Sequence, residues 1–139
     1  MTEILNIFTD GGARGNPGPA ALGVVIKDEG NQVIKKLNKS LGKKTNNQAE
    51  YLAVLEAFEW LLVNQDLNFK KINFFIDSKL VVNQLKGLYK IKNGNLRDLV
   101  IKIKFLESKI LKNVSYNFIP REKNKEADLL VNQTLDNKI

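Results

Sequence analysis

Cysteine and histidine are both absent from the 139 residues of this chain. Together these absences exclude disulfides, thiolate nucleophiles, imidazole acids and bases, and the usual zinc ligand sets. Enzyme chemistry here must come from carboxylates, hydroxyls, Lys or Arg, or from a metal held by oxygen ligands, which points to Mg²⁺ or Mn²⁺. Long apolar runs are missing as well; none approaches the length that spans a bilayer, so no membrane partner is expected. Met1 leads straight into the alternating stretch 3–9 with neither the basic nor the apolar region of a secretion signal. A cytoplasmic location is the default expectation.

What is present fits a globular protein: 43% of residues are hydrophobic, and the length suits one domain over residues 1–139. The net charge of +7 and a pI near 9.6 admit two readings. Either lysines and arginines draw in a polyanion such as nucleic acid, or they form solvated faces of a lysine-rich protein.

Residues 4–9 and 21–27 read as strands flanking a glycine-rich turn, and 32–41 returns as a third after the turn signal Asp28-Glu29-Gly30-Asn31. From Thr45 the period changes. Leu52, Leu55, Phe58 or Glu59, and Leu62 recur at helical spacing, Ala49, Ala53 and Ala57 permit close packing, and Thr45 or Asn46 serves as N-cap. Residues 71–76 form a strand ending at Asp77-Ser78; 78–86 is a short helix with Leu80, Val81 and Leu85 inward, closed by Gly87. A longer amphipathic helix follows Asn93-Gly94-Asn95 through Leu96, Leu99, Ile103, Leu106 and Ile110, then a strand at 114–119 and a helix at about 124–135. Strands that alternate with helices after an antiparallel opening imply an α/β fold, a mixed sheet with helices packed on its faces.

Four carboxylates fall at element ends: Asp10 after the first strand, Asp77 after the fourth, Glu50 and Asp128 in the first turns of helices. In open α/β sheets ligands bind outside the carboxyl ends of parallel strands, so Asp10 and Asp77 meet there if their strands are neighbours. Taken singly, each also reads as a cap or a solvated turn. Asp10 is followed by the loop Gly11-Gly12-Ala13-Arg14-Gly15-Asn16-Pro17-Gly18-Pro19, which is either a close-approach surface for a polymer or a plain connection.

Four stretches in order along the chain resemble type 1 ribonuclease H: Phe8-Thr9-Asp10-Gly11-Gly12-Ala13-Arg14-Gly15-Asn16-Pro17-Gly18, Thr45-Asn46-Asn47-Gln48-Ala49-Glu50-Tyr51, Phe75-Ile76-Asp77-Ser78 and Asn124-Lys125-Glu126-Ala127-Asp128-Leu129-Leu130. Each motif is weak alone, and the set covers nearly the whole chain. The resemblance implies a ribonuclease H-like fold, a mixed five-stranded sheet whose first three strands are antiparallel and the rest parallel, with helices on both faces. It implies a monomeric endoribonuclease that cuts the RNA strand of RNA/DNA hybrids and leaves 5′-phosphate and 3′-hydroxyl ends. It also implies two Mg²⁺ ions, with Mn²⁺ a possible substitute, on Asp10, Glu50, Asp77 and Asp128. Asp10 would bridge the ions, Asp128 would help hold the one that activates water, and Glu50 with Asp77 the one near the leaving oxygen. A two-metal clamp about 4 Å across meets the needs of phosphodiester hydrolysis without histidine. By the same resemblance Asn16, Asn46 and Asn47 lie near the RNA minor groove, where an amide can read a 2′-hydroxyl, and Thr45 touches a phosphate of the DNA strand. Asn46 and Asn47 also read as capping residues.

The sequence departs from the family in two places. The histidine that many members carry before the last helix is absent, and Ile119-Pro120-Arg121-Glu122 occupies the region; Arg121 is either a stabiliser of charge there or a surface arginine. The basic, tryptophan-rich protrusion of some members is replaced by Lys86-Gly87-Leu88-Tyr89-Lys90-Ile91-Lys92-Asn93-Gly94, which implies weaker binding, and no separate N-terminal hybrid-binding domain is expected. Trp60, among Phe58, Leu61 and Leu62, reads as core or core-edge packing. Three alternatives remain at this level: a catalytically silent RNA-binding module of the same fold, a nuclease that also cuts double-stranded RNA, and a DNA-cutting relative such as a transposase, integrase or junction resolvase. Four converging negative charges argue against the first, since they repel phosphate unless a cation is present.

Overall fold

The computed structural model describes residues 3–137. Five strands and four helices follow in the order β1 (Ile4–Ala13), β2 (Gly18–Asp28), β3 (Val33–Lys44), α1 (Asn46–Val63), β4 (Lys71–Ile76), α2 (Lys79–Leu85), α3 (Gly94–Lys109), β5 (Asn113–Phe118) and α4 (Lys125–Leu135), with a single 3₁₀ turn at Arg121–Lys123 before α4. The strands form one sheet in the order β3-β2-β1-β4-β5. β1 pairs antiparallel with β2, and β2 with β3; β1 pairs in parallel with β4, and β4 with β5. The mixed sheet is the one the sequence predicts.

Alternation along the strands divides the apolar residues between two faces. Leu22, Val24 and Ile26 of β2 join Leu5 and Ile7 of β1 in a cluster with Tyr51, Val54, Phe58 and Leu61 of α1 and Ile103 of α3. Val25, between two of those β2 residues, points the other way and packs with Ala127 and Leu130 of α4, against which Phe8 leans. Helices therefore cover both faces. An aromatic row crosses the larger core, with ring centroids 4.9 Å apart for Phe58 and Phe74 and 5.5 Å for Phe74 and Tyr116.

The ends of three helices are fixed by residues legible in the sequence. Thr45 accepts from the Gln48 N–H at 3.1 Å while the Gln48 side chain accepts from Thr45 N–H at 2.9 Å, a reciprocal capping box. Ser78 and Asn93 cap α2 and α3 through Val81 N–H and Leu96 N–H.

The structure corrects three expectations. β1 does not stop at residue 9: Gly11 and Gly12 stay in the ladder opposite Leu22 and Ala21, so the connection to β2 is shorter than the glycine content suggests. The deepest face of α1 is Tyr51, Val54, Phe58 and Leu61, with Leu52, Leu55 and Leu62 only partly buried beside it. In α2, Leu80 is exposed and Val82 takes the inward place beside Val81 and Leu85. Trp60 is partly buried against the core, as expected.

Candidate active site

Parallel pairing of β1 with β4 ends at Thr9 opposite Ile76, and the residue that follows each of the two is an aspartate. Asp10 and Asp77 thus emerge side by side from adjacent strands. Glu50 arrives from the first turns of α1, which approaches β1 closely enough that a Cβ on Gly11 would lie 2.2 Å from the carbonyl carbon of Ala49. That absent side chain lets the Gly11 N–H donate to Glu50 Oε1 at 2.6 Å. On the other face α4 sits as closely over β2: a Cβ on Gly23 would lie 2.5 Å from the Ala127 carbonyl oxygen. This seats Asp128, in the first turn of α4, beside Asp10.

Carboxylate oxygens of Asp10, Glu50 and Asp77 all lie within 4.8 Å of one another, a spacing suited to a cation with oxygen ligands. Asp128 completes the acidic wall of an open cleft of about 430 Å³, which Ser78, Arg121 and Arg14 also line. Asp10 is 5% exposed and Glu50 8%. Burial, reinforced by the charges of Asp77 and Asp128 and partly offset by a hydrogen bond with Glu50, lifts Asp10 from 3.8 to about 7. Burial and the neighbouring Asp10 push Glu50 well above the usual glutamate range, against the lowering effect of the Gly11 N–H. Without a cation, the two buried groups resist carrying their charges together, and a divalent ion relieves both burial and repulsion. An oxygen-only, strongly anionic donor set of this kind fits Mg²⁺ or Mn²⁺.

Asn16, Thr45, Asn46 and Asn47 form a rim beside the acidic centre. Asn46 and Asn47 line the acidic cleft, and all four line an adjoining hollow with Gln48, Asn93 and Asn95. Thr45 is the N-cap, so the capping reading of Asn46 does not hold; its Oδ1 accepts from Ala13 N–H at 2.8 Å, and Asn16 Oδ1 accepts from Asn46 N–H at 2.9 Å. These two bonds staple the β1–β2 connection to α1. Arg121, in the 3₁₀ turn, reaches the same cleft as the carboxylates.

Sequence reasoning passed over Asn124 as a site residue, although it opens the fourth motif. It is buried at 1% exposure and donates to Asp77 Oδ2 at 3.0 Å. Nothing in a helix-start asparagine distinguishes it from an ordinary cap. Arg14, which lines the cleft and pairs with Asp136 at 2.5 Å, was also passed over.

The family model described as "Reverse transcriptase-like" matches residues 8–134. Among curated relatives, the bifunctional protein Rv2228c of Mycobacterium tuberculosis is 34% identical over 131 residues, 94% of this chain and 35% of the relative. Ribonuclease HI of Halobacterium salinarum is 35% identical over 132 residues, 95% of this chain and 64% of the relative. The chain therefore spans about a third of the first and just under two thirds of the second. Among solved structures, LC11-RNase H1 in complex with an RNA/DNA hybrid superposes with a TM-score of 0.91 at 40% identity, covering 96% of this chain and 97% of that one. With the motifs, the strand order and these likenesses in agreement, the chain belongs to the type 1 ribonuclease H family.

Proposed function

We propose that this protein is a metal-dependent endoribonuclease that hydrolyses the RNA strand of RNA/DNA hybrids and leaves 5′-phosphate and 3′-hydroxyl ends. The observation that carries this reading is the convergence of Asp10, Glu50, Asp77 and Asp128 in one open cleft. Two divalent cations, Mg²⁺ in the first place, would supply an activated water and a stabilised leaving oxygen when bound there. Asp10, Glu50 and Asp77, whose oxygens lie within 4.8 Å of one another, would hold the ions together with Asp128 beside Asp10; by the family resemblance Asp10 would serve both ions, Asp128 the one that activates water, and Glu50 with Asp77 the one near the leaving oxygen. The cleft is open, as a duplex requires. The Asn16, Asn46 and Asn47 rim offers amide groups that can both donate to and accept from a 2′-hydroxyl, and the Thr45 hydroxyl can still donate to a DNA-strand phosphate while it caps α1. Arg121 would stabilise negative charge at the cleft edge but, being permanently protonated, shuttles no proton. Binding to an RNA/DNA hybrid by the similar LC11-RNase H1 supports the choice of substrate.

A panel of matched RNA/DNA, RNA/RNA and DNA/DNA duplexes, incubated with Mg²⁺, Mn²⁺ or chelator, tests class, substrate and cofactor together. The expected result is cutting of the RNA strand in the hybrid only with a divalent cation. Binding without cutting under every condition would favour a silent RNA-binding module, and cutting of RNA/RNA would widen the substrate class.

A further inference from the structure

Asn124 stands at the N-cap of α4, where asparagine ordinarily accepts from the first free N–H groups of its helix. It makes no such bond, although Thr45, Ser78 and Asn93 all cap theirs. Its side chain turns inward: Nδ2 donates to the Thr9 carbonyl at 2.8 Å and to Asp77 Oδ2 at 3.0 Å. Both partners are acceptors, so only one orientation of the amide satisfies them. That orientation leaves Oδ1 buried without a hydrogen-bond partner among the described residues. Lost capping and an orphaned buried acceptor both lower stability. An apolar side chain of similar shape would avoid the second but would leave the Thr9 carbonyl and the Asp77 oxygen without these donors, so asparagine is held here by the two bonds it makes inward and not by capping.

What the amide does achieve is a bridge across the fork where β1 and β4 part, between Thr9, which precedes Asp10, and Asp77 itself. The Asn124 backbone carbonyl accepts from Asp128 N–H at 3.1 Å. Three of the four carboxylates are thereby referred to one buried residue. We infer that Asn124 is a positioning residue that fixes the rotation of the Asp77 carboxylate, so that the acidic cluster is oriented for a divalent cation before one arrives. This rests on the reading of the cluster as a cation site. Residues that orient ligands in this way are typically worth about 10- to 100-fold in metal affinity.

The test is direct titration of the protein with Mn²⁺, free ion being followed by electron paramagnetic resonance, for wild type, Asp10→Asn, Asn124→Ala and Asn124→Leu. Circular dichroism establishes that each is folded, and binding of a non-cleaved hybrid is measured in Ca²⁺. The inference predicts Mn²⁺ affinity about 10- to 100-fold weaker in the Asn124 variants, a matching rise in the Mg²⁺ concentration for half-maximal cleavage, and unchanged hybrid affinity. Folded Asn124 variants that bind Mn²⁺ as wild type does would overturn it. If wild type itself binds no Mn²⁺ that Asp10→Asn weakens, the cation reading falls first and this inference with it. Nuclear magnetic resonance of wild type decides the case if neither variant folds: the Asn124 side-chain NH₂ signals should exchange slowly with solvent and shift as Mg²⁺ is added. Fast exchange without a shift would contradict the bridge.

Discussion

Burial and two neighbouring carboxylates hold Asp10 at about 7, against 3.8 for an ordinary aspartate, and the sign of the consequence follows from linkage. Between about pH 4 and pH 7 the folded chain keeps a proton that the unfolded chain has released. The stabilising contribution is therefore complete below pH 4 and is lost as pH rises through about 7, at up to about 1.4 kcal/mol per pH unit. Melts of the metal-free protein in chelator should show this decline in wild type and a shallower one in Asp10→Asn, Glu50 contributing in the same direction in both. Near pH 8 the variant should be more stable by on the order of 1 kcal/mol, and Mg²⁺ should stabilise wild type more than the variant. Parallel pH profiles with equal Mg²⁺ responses would mean that Asp10 is an ordinary structural residue. The rim asparagines differ in what their loss should do. Asn46→Ala removes the acceptor for Ala13 N–H and should cost about 1 kcal/mol of stability as well as recognition. Asn47, exposed on the cleft wall, should lose recognition alone. With each, the penalty for replacing 2′-hydroxyls by hydrogen should shrink, which a double-mutant-style cycle measures; simple additivity would show that they do not read RNA.

Close approach of helices to the sheet places the carboxylates, so single glycines control the geometry. Gly11→Ala puts a methyl group into the Ala49 backbone, whereas a Cβ on Gly12 meets only Val131 at 3.6 Å. Denaturant melts should show Gly11→Ala less stable by about 1–3 kcal/mol, the usual range for overpacking, and Gly12→Ala little changed. Equal effects would mean that α1 is free to move outward. This packing also explains what the sequence did and did not disclose. Asp10 and Asp77 could be paired in advance because each follows an apolar strand, and the sheet does make those strands neighbours. Thr45, one of two N-cap candidates, announced the start of α1, while the reciprocal bond from Gln48 was not read in advance. The buried face of α1 was not legible, because apolar residues surround the helix and several stripes satisfy the period; close contact with β1 selects the one with Tyr51 and Phe58. The continuation of β1 through Gly11 and Gly12 was hidden by glycines that usually mark turns. Asn124 was hidden because its role depends on β1 and β4, more than 40 residues distant in sequence.

Across the whole molecule, 22 basic against 15 acidic residues give a net charge of +7, and binding to a duplex should weaken steeply with salt. Lys86, Lys90 and Lys92 are exposed on the segment 86–93 that joins α2 to α3, in place of the basic protrusion of longer members. If they contact phosphates, each Lys→Ala variant should lower the salt slope of hybrid binding by about one without changing duplex preference; an unchanged slope in all three would place them away from the nucleic acid. Cleavage by the four carboxylates is open to one decisive measurement. That measurement is the single-turnover rate of RNA-strand cleavage in an RNA/DNA hybrid at saturating Mg²⁺, for wild type and for Asp10→Asn, Glu50→Gln and Asp77→Asn, with hybrid affinity measured alongside. The carboxylate account predicts efficient cutting by wild type, nearly none by the three variants, and similar affinity in all four. Retention of more than about a tenth of the wild-type rate by a variant would contradict the role of that carboxylate, and retention by all three would contradict the site.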